Sequence, residues 1–258
     1  MRRRATKPQI ALTIGLLTAM VAAGYWWFPH IWWSYVIARR GAKIRSVPVS
    51  ALHAPGQTKG WFTCRAGALS FKLPPDMIDE AERSASKENN AIIIKTRSSE
   101  VQFHVPAKAG PSPHPALVEA AARLHRSPMQ ITAETYRAST DDFRWTMSRA
   151  ELERHQMLVN LGLIFYPHTA GIKVESLFEG PLEGLLMIRD RTHAVFEWHA
   201  KSEAAVGYLS FTSTENDLNL DHLRDICASV SCDDSKLGPQ LTKGELDVLA
   251  NSLEFTKE

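Results

Sequence analysis

Three side chains able to bind a proton or a metal ion fall at even spacing on one short run: His193, Glu197 and His199. Residues an even number apart share one face of a β-strand, so these three line up while Ala194, Phe196 and Trp198 take the other face. Glu197 and His199 could converge on one metal ion, with His193 and a neighbouring strand completing the shell, since imidazole and carboxylate are ordinary zinc ligands. The same pattern also describes the solvated face of a strand that anchors a core through Trp198, and no metal motif accompanies it. Glu151 and His155 stand one helical turn apart, the spacing of a carboxylate–imidazole pair or of a surface helix pair. Asp141-Asp142 and Asp233-Asp234 have the character of turn or cap residues. The chain holds no Gly-x-Ser-x-Gly elbow, no His-Glu-x-x-His, no phosphate-cradling glycine loop and no dinucleotide fingerprint. That counts against an enzyme without excluding one, because a site assembled from distant strands leaves no local signature. No catalytic residue is assigned, and no cofactor is expected.

Cysteine usage adds little chemistry. Cys64, Cys227 and Cys232 are odd in number and contain no Cys-x-x-Cys, so zinc and thioredoxin-like readings are weak. Outside the cytoplasm a disulfide is expected, Cys227 with Cys232 across a helix end or Cys64 with either. Three buried small hydrophobes are the plain alternative.

Period-2 runs supply the elements that would position these groups. Leu69, Phe71 and Leu73 alternate with polar or small residues until Pro74-Pro75. Residues 91–96 form an isoleucine-rich strand, and Val101, Phe103 and Val105 mark another. Residues 106–115, with four prolines and a glycine, must be irregular. A helix is expected from Pro115 to about His125. A second should start at the capping box Ser148-x-x-Glu151 and run to about Phe165, although 157–165 also alternates like a strand. Phe143, Trp145 and Met147 alternate as a further strand with Trp145 inward. Residues 172–179, 183–189, 193–200 and 205–213 are four runs with short joins, which makes an antiparallel meander. Helices over 220–230 and 242–253 follow, the last opened by Thr242-x-x-Glu245. The fold class is α+β: an antiparallel sheet, with its late four-stranded meander, packed by helices.

Phe71-Lys72-Leu73-Pro74 and the run from Gly207 to Ser229 resemble the PsbP-like α/β sandwich, where an early hairpin precedes a helix and a late meander ends in one. The resemblance implies a small extracytoplasmic or assembly-associated protein, mostly non-enzymatic in that family. It transfers no site residue, and residues 148–165 have no counterpart in it.

The strongest pattern lies at the amino terminus. Between Pro8 and Ala38 there is no Asp, Glu, Lys or Arg, while Arg2, Arg3, Arg4 and Lys7 precede and Arg39, Arg40, Lys43 and Arg45 follow. Residues 10–28 would span about 28 Å as a helix, close to the ~30 Å hydrocarbon core of a bilayer. Residues 1–38 are therefore expected to be a basic start and one transmembrane signal anchor contacting lipid over 10–38. Tyr25, Trp26, Trp27, Trp32, Trp33 and Tyr35 would form the aromatic belt, and Pro29 would break the helix near the interface. A cleaved secretory signal and a buried core helix are the rivals. Residues 39–59 read as a basic linker and 60–258 as a single domain.

Charge separates the two parts. Of 30 basic and 28 acidic side chains, nine basic and no acidic ones precede Gly60, leaving 21 against 28, a net of −7. An acidic domain repels phosphate backbones, so nucleic acid is not an expected partner. The Met-Arg-Arg-Arg start resembles an export n-region and favours a large domain outside the cytoplasm. The expected function is a single-pass, membrane-anchored protein-interaction or envelope-assembly module. Its alternatives are a membrane-tethered hydrolase or metal-dependent enzyme using the His193/Glu197/His199 strand, and a cytoplasm-facing regulatory module.

Overall fold

A computed structural model describes residues 7–40, 44–86, 90–108, 113–165, 171–202, 205–214 and 217–257, with side chains of the first helix from Ile14 to Arg39. Its elements in chain order are α1 (Lys7–Arg40), β1 (Val49–Ala51), β2 (Phe62–Ala66), β3 (Leu69–Leu73), β4 (Glu82–Ser86), β5 (Ala91–Lys95) and β6 (Ser99–His104). There follow α2 (Pro115–Leu124), α3 (Pro128–Arg137), α4 (Arg149–Phe165), β7 (Lys173–Leu177), β8 (Leu182–Ile188), β9 (His193–Ala200) and β10 (Val206–Ser213). The chain closes with α5 (Leu220–Ser229), β11 (Ser231–Cys232), α6 (Lys243–Asn251) and β12 (Glu254–Lys257). Two compact units result, one from the described parts of Met1–Ser46 and Ala138–Pro167, the other from Val47–Arg137 and His168–Glu258. Residues 138–165 therefore group with the N-terminal helix, where composition suggests one domain over 60–258.

The larger unit is α+β. An eight-stranded sheet has the order β1-β7-β8-β9-β10-β6-β5-β4, and a four-stranded sheet the order β11-β3-β2-β12. Every pairing is antiparallel except β1 with β7, which is parallel and makes the large sheet mixed. The meander β7–β10 stands within a few residues of its expected bounds, because its joins are too short for any crossover. One core cluster draws on both sheets and on two helices: Phe71 and Leu73 of β3, Ile92 and Phe103, Phe196 and Trp198 of β9, Phe211, Ile226 of α5 and Leu246 of α6. Trp198 and Phe211 point inward as expected, 0% and 1% exposed. Trp198 fits because Gly207 faces it on β10, where an added Cβ would stand 2.6 Å from the indole; Gly184 of β8 leaves the same room for Phe196.

Residues expected to be a plain linker are partly built into this unit. β1 pairs with β7, Leu52 is buried, and the Asp225 carboxylate accepts the backbone N–H groups of Gly56 at 2.7 Å and Gln57 at 2.9 Å. Asp225, on α5, is 2% exposed, so these charge-assisted bonds are what satisfies it.

The smaller unit pairs α1 with α4. The capping box forms as expected, Ser148 N–H donating to Glu151 and Glu151 N–H to the Ser148 hydroxyl, and residues 157–165 are helix, not strand. Leu152, His155, Val159 and Gly162 share one buried side of α4, and Leu158 and Leu161 are buried beside and behind it. Pro29 does not break α1, which continues to Arg40. Around it the helix is held from outside: His30 Nε2 meets the Met147 carbonyl at 2.9 Å, and Trp33, 4% exposed, packs edge-on to His155. Residues 143–147 form no strand, and Trp145 is 49% exposed, not inward. It stacks on His30 at 6.3 Å and leans on Trp27 and Phe143, so its partners are aromatic neighbours outside a core.

Among the described residues, no helix is long and apolar enough to cross a membrane. The apolar run 10–28 begins on side chains that lie outside them. Its described remainder, 14–28, would span only about 22 Å at ~1.5 Å per residue.

Candidate functional site

The second face of the large sheet, opposite the core, carries a set of polar and titratable side chains, while Glu175 on the core face is buried in a two-bond pair with Arg224 of α5 at 2.7 and 2.9 Å. β9 alternates as the sequence implies: Ala194, Phe196, Trp198 and Ala200 are buried, while Val195, Glu197 and His199 are half-buried and His193 is exposed. Register then brings in groups from other strands. Glu183 of β8 stands directly opposite His199, and Tyr208 of β10 directly opposite Glu197. His104, at the end of β6, has its ring 6.0 Å from that of Tyr208, and Gln102 donates to the Tyr208 hydroxyl at 3.1 Å. The result is a polar row of Glu183, His199, Glu197, Tyr208, Gln102 and His104 across four strands.

Burial shifts three groups of this row. It raises the Glu197 carboxyl above the usual carboxylate range, with Arg189 opposing, and it lowers the His199 and His104 imidazoles. Both kinds of shift favour the neutral form, as loss of solvation requires. His104 Nδ1 is buried without a hydrogen-bond partner among the described residues. Glu183 differs: Ser127 Oγ and Gln130 Nε2 both donate to it from the first turn of α3, where a helix N-terminus favours an anion.

His193 does not join this row. It is exposed and bonded into its own turn, with Nδ1 2.8 Å from the Thr192 hydroxyl and 3.2 Å from Asp190. The candidate metal trio is thus reduced to Glu197 and His199, and no group of three or more His, Cys, Asp or Glu among the described residues could hold a metal ion. Glu151 and His155 do not pair either: Glu151 is consumed by its cap, while burial lowers the His155 imidazole against the opposing charge of Asp142. Asp142 and Asp233 are cap residues, as their positions imply. The expected Cys227–Cys232 bridge is absent and all three cysteines are free. α5 does end at Ser229 as the bridge requires, but Cys227 is buried in the core while Cys232 is taken up by pairing with Leu69 of β3.

Sequence reasoning missed α3, and with it Ser127 and Gln130. The signal was present: Ser127-x-x-Gln130 is a capping box with Pro128 at the first helical position, and the cap bonds form at 3.1 and 3.4 Å. Glu183 and Tyr208 were visible as strand residues, but only register shows which groups they face. A shallow depression of about 280 Å³ at the far end of β8 is lined by Lys173, Arg189, Arg191 and Asp217 among others; Arg191 pairs with Asp217 there at 3.5 Å.

No family model, no characterised protein and no solved structure matches the chain. The PsbP-like resemblance therefore rests on the residues quoted for it.

Proposed function

We propose that this chain is a single-pass membrane-anchored protein whose sheet unit lies outside the cytoplasm and binds another protein. The observation that carries the anchoring is the exposure of α1: Ile14, Leu17, Met20, Val21, Trp26 and Phe28 are between 56% and 70% exposed and lie on every side of the helix. A helix apolar all round belongs in a core or in lipid, and Arg149 over Tyr25 and Trp145 against Trp27 leave these six side chains more than half exposed. Residues 10–28 supply the length, and the arginines at the amino terminus favour the outward orientation. The binding role is supported by the polar row, where the half-buried Glu197 and His199 side chains make no hydrogen bond among the described residues, so their polar atoms have capacity for a partner's groups.

Alkaline extraction of native membranes, with a carboxy-terminal reporter active only outside the cytoplasm, tests the anchor. Release of the chain at alkaline pH refutes it, and a silent reporter turns the reading into the cytoplasm-facing module. Crosslinking in solubilised membranes tests the binding role: a protein captured by the wild type should be lost in Glu197→Gln and His199→Ala. Equal capture by all three chains would remove the row from the binding face.

One observation favours a second reading. Glu197 and His199 share a face with opposite burial shifts, a combination found where acid–base chemistry is set up. A tethered metal-dependent hydrolase would contain stoichiometric metal, lost in a folded His199→Ala variant, and that result would reverse the ranking.

A further inference from the structure

Beside the exposed stretch of α1 the smaller unit contains a groove of about 530 Å³, lined by Val21, Gly24, Tyr25, Trp27, Phe28 and Ile31 together with Arg149. The lining is apolar except where Arg149 meets Tyr25. There the Arg149 guanidinium lies over the Tyr25 ring at 4.4 Å, while its Nε donates to the exposed Glu153 at 3.0 Å. A guanidinium presents five donors in a planar fork, so one bond to a carboxylate leaves capacity for a phosphate. Around this point Trp27 of α1 and Trp145 of the segment before α4 meet at 6.2 Å. Both rings are about half exposed, which suits the headgroup level of a bilayer, where one edge is apolar and the other wet. Gly24 is the notch: a Cβ placed there meets nothing within 4 Å.

We infer that the groove holds one phospholipid, with an acyl chain running from Gly24 along Val21 and its phosphodiester on Arg149. The inference rests on the membrane reading of α1 and goes beyond it by giving the anchor a specific lipid site. Charge and lining argue for this occupant: an apolar groove with a single stacked cation in its lining matches a molecule with an apolar tail and an anionic phosphate. In this arrangement α4 is a second interfacial element. Trp145 is exposed because it belongs at the membrane surface, and the His30–Met147 bond fixes the segment that presents it.

The test uses the full chain purified in mild detergent and read by native mass spectrometry after incubation with phosphatidylglycerol or with dioleoylglycerol, which lacks the phosphate. The wild type should retain one phosphatidylglycerol, about fivefold more than dioleoylglycerol, from the ~1 kcal/mol that one basic side chain contributes near anionic lipid. Arg149→Gln should abolish that preference, and Gly24→Leu, which fills the notch, should lower retention of both lipids. Flotation with vesicles checks that each variant still inserts. If all variants insert but retain lipid equally, the groove is not a lipid site, and the membrane reading survives. If the wild type itself fails to float, the membrane reading falls and takes this inference with it. A dimer with no lipid would assign the groove to a second copy of the chain and overturn the proposal.

Discussion

Asp225 gives the sharpest quantitative test of how the segment after α1 is held. Its carboxylate is 2% exposed and is satisfied by the N–H groups of Gly56 and Gln57 at 2.7 and 2.9 Å. Asp225→Ala removes both acceptors from amides of exposed residues whose partner is buried. Hydrogen bonds to a charged group are worth about 1.5–3 kcal/mol each, so the gross loss is about 3–6 kcal/mol. Two effects reduce it: water reaches amides in a surface loop, and the alanine no longer carries a charge that must be desolvated. A net cost of about 2–4 kcal/mol remains, a large part of a typical domain stability of ~5–15 kcal/mol. Asp225→Asn keeps one acceptor oxygen but turns an NH₂ toward the second amide, so it should recover no more than half of the loss. Hydrogen exchange of the full chain in mild detergent locates the effect. In the wild type the Gly56 and Gln57 amides should be protected, and in Asp225→Ala they should exchange about a hundredfold faster, since each ~1.4 kcal/mol of local opening is a factor of ten. The amides of β8 to β10 should lose less. Fast exchange at Gly56 and Gln57 in the wild type, or a loss of stability below about 0.5 kcal/mol in Asp225→Ala, would refute the reasoning.

The core should respond to a single methyl group: Gly207→Ala places a Cβ 2.6 Å from the Trp198 indole and should cost about 1–3 kcal/mol by overpacking, read as a lower urea midpoint. Trp198→Ala should cost about 3–5 kcal/mol, whereas Trp145→Ala, at an exposed position, should cost about 1 kcal/mol or less; equal costs would show that the core assignment is wrong. Burial lowers His104 and His199, so the unfolded chain binds their protons first, and stability present above their unfolded value of ~6.5 is lost as pH falls below it. His104→Gln and His199→Gln should each flatten that loss in urea titrations between neutral and mildly acid pH. Glu197 has the opposite sign: its pKa is raised, so its contribution is full below the ordinary carboxylate value and is lost as pH rises through the raised one, and Glu197→Gln should remove that slope. Burial pushes the Cys64 thiol up to about 12, Cys232 to about 11 and Cys227 well above its ordinary value. A maleimide at neutral pH should therefore modify only the half-buried Cys232, slowly, and all three cysteines after unfolding; rapid native labelling of Cys64 or Cys227 would contradict their burial.

What could be read from the sequence was whatever a local period encodes. β9 shows this best, because His193-Ala-Val-Phe-Glu-Trp-His-Ala alternates without a break, and the buried and half-buried positions follow it residue by residue. The capping boxes at Ser148 and Thr242 were equally legible, since each is a bond between residues three apart. β1, β4 and β12 were not legible. Their residues, such as Glu82-Arg83-Ser84-Ala85-Ser86, lack a strong apolar alternation, and they are strands because each pairs along the edge of a neighbour, distant in sequence for β1 and β12 and adjacent for β4, which lies against the isoleucine-rich β5. Phe143, Trp145 and Met147 failed for the reverse reason. The alternation was present, but no strand among the described residues pairs with it, and the rings are used one at a time against Trp27 and His30.

The polar row was only half visible on the same grounds. Its β9 members share one run of sequence, so periodicity put Glu197 and His199 together, and it added His193 because parity cannot tell a strand interior from its first residue. That first residue is drawn instead into the turn, where Asp190 accepts the N–H groups of Thr192 and His193. The other members come from positions 102, 104, 183 and 208, and only the register of β8, β10 and β6 brings them alongside. Register also decides the chemistry. Glu183 lies at the α3 N-terminus and is held there by Ser127 and Gln130, whereas Glu197, two strands from β6 and beside Tyr208, meets no such donor and is pushed toward its neutral form. Two carboxylates on one face thus have opposite tasks, one fixing a helix to the sheet and the other left open. The second is the one whose neutral form burial favours, and it shares that condition with His199 beside it.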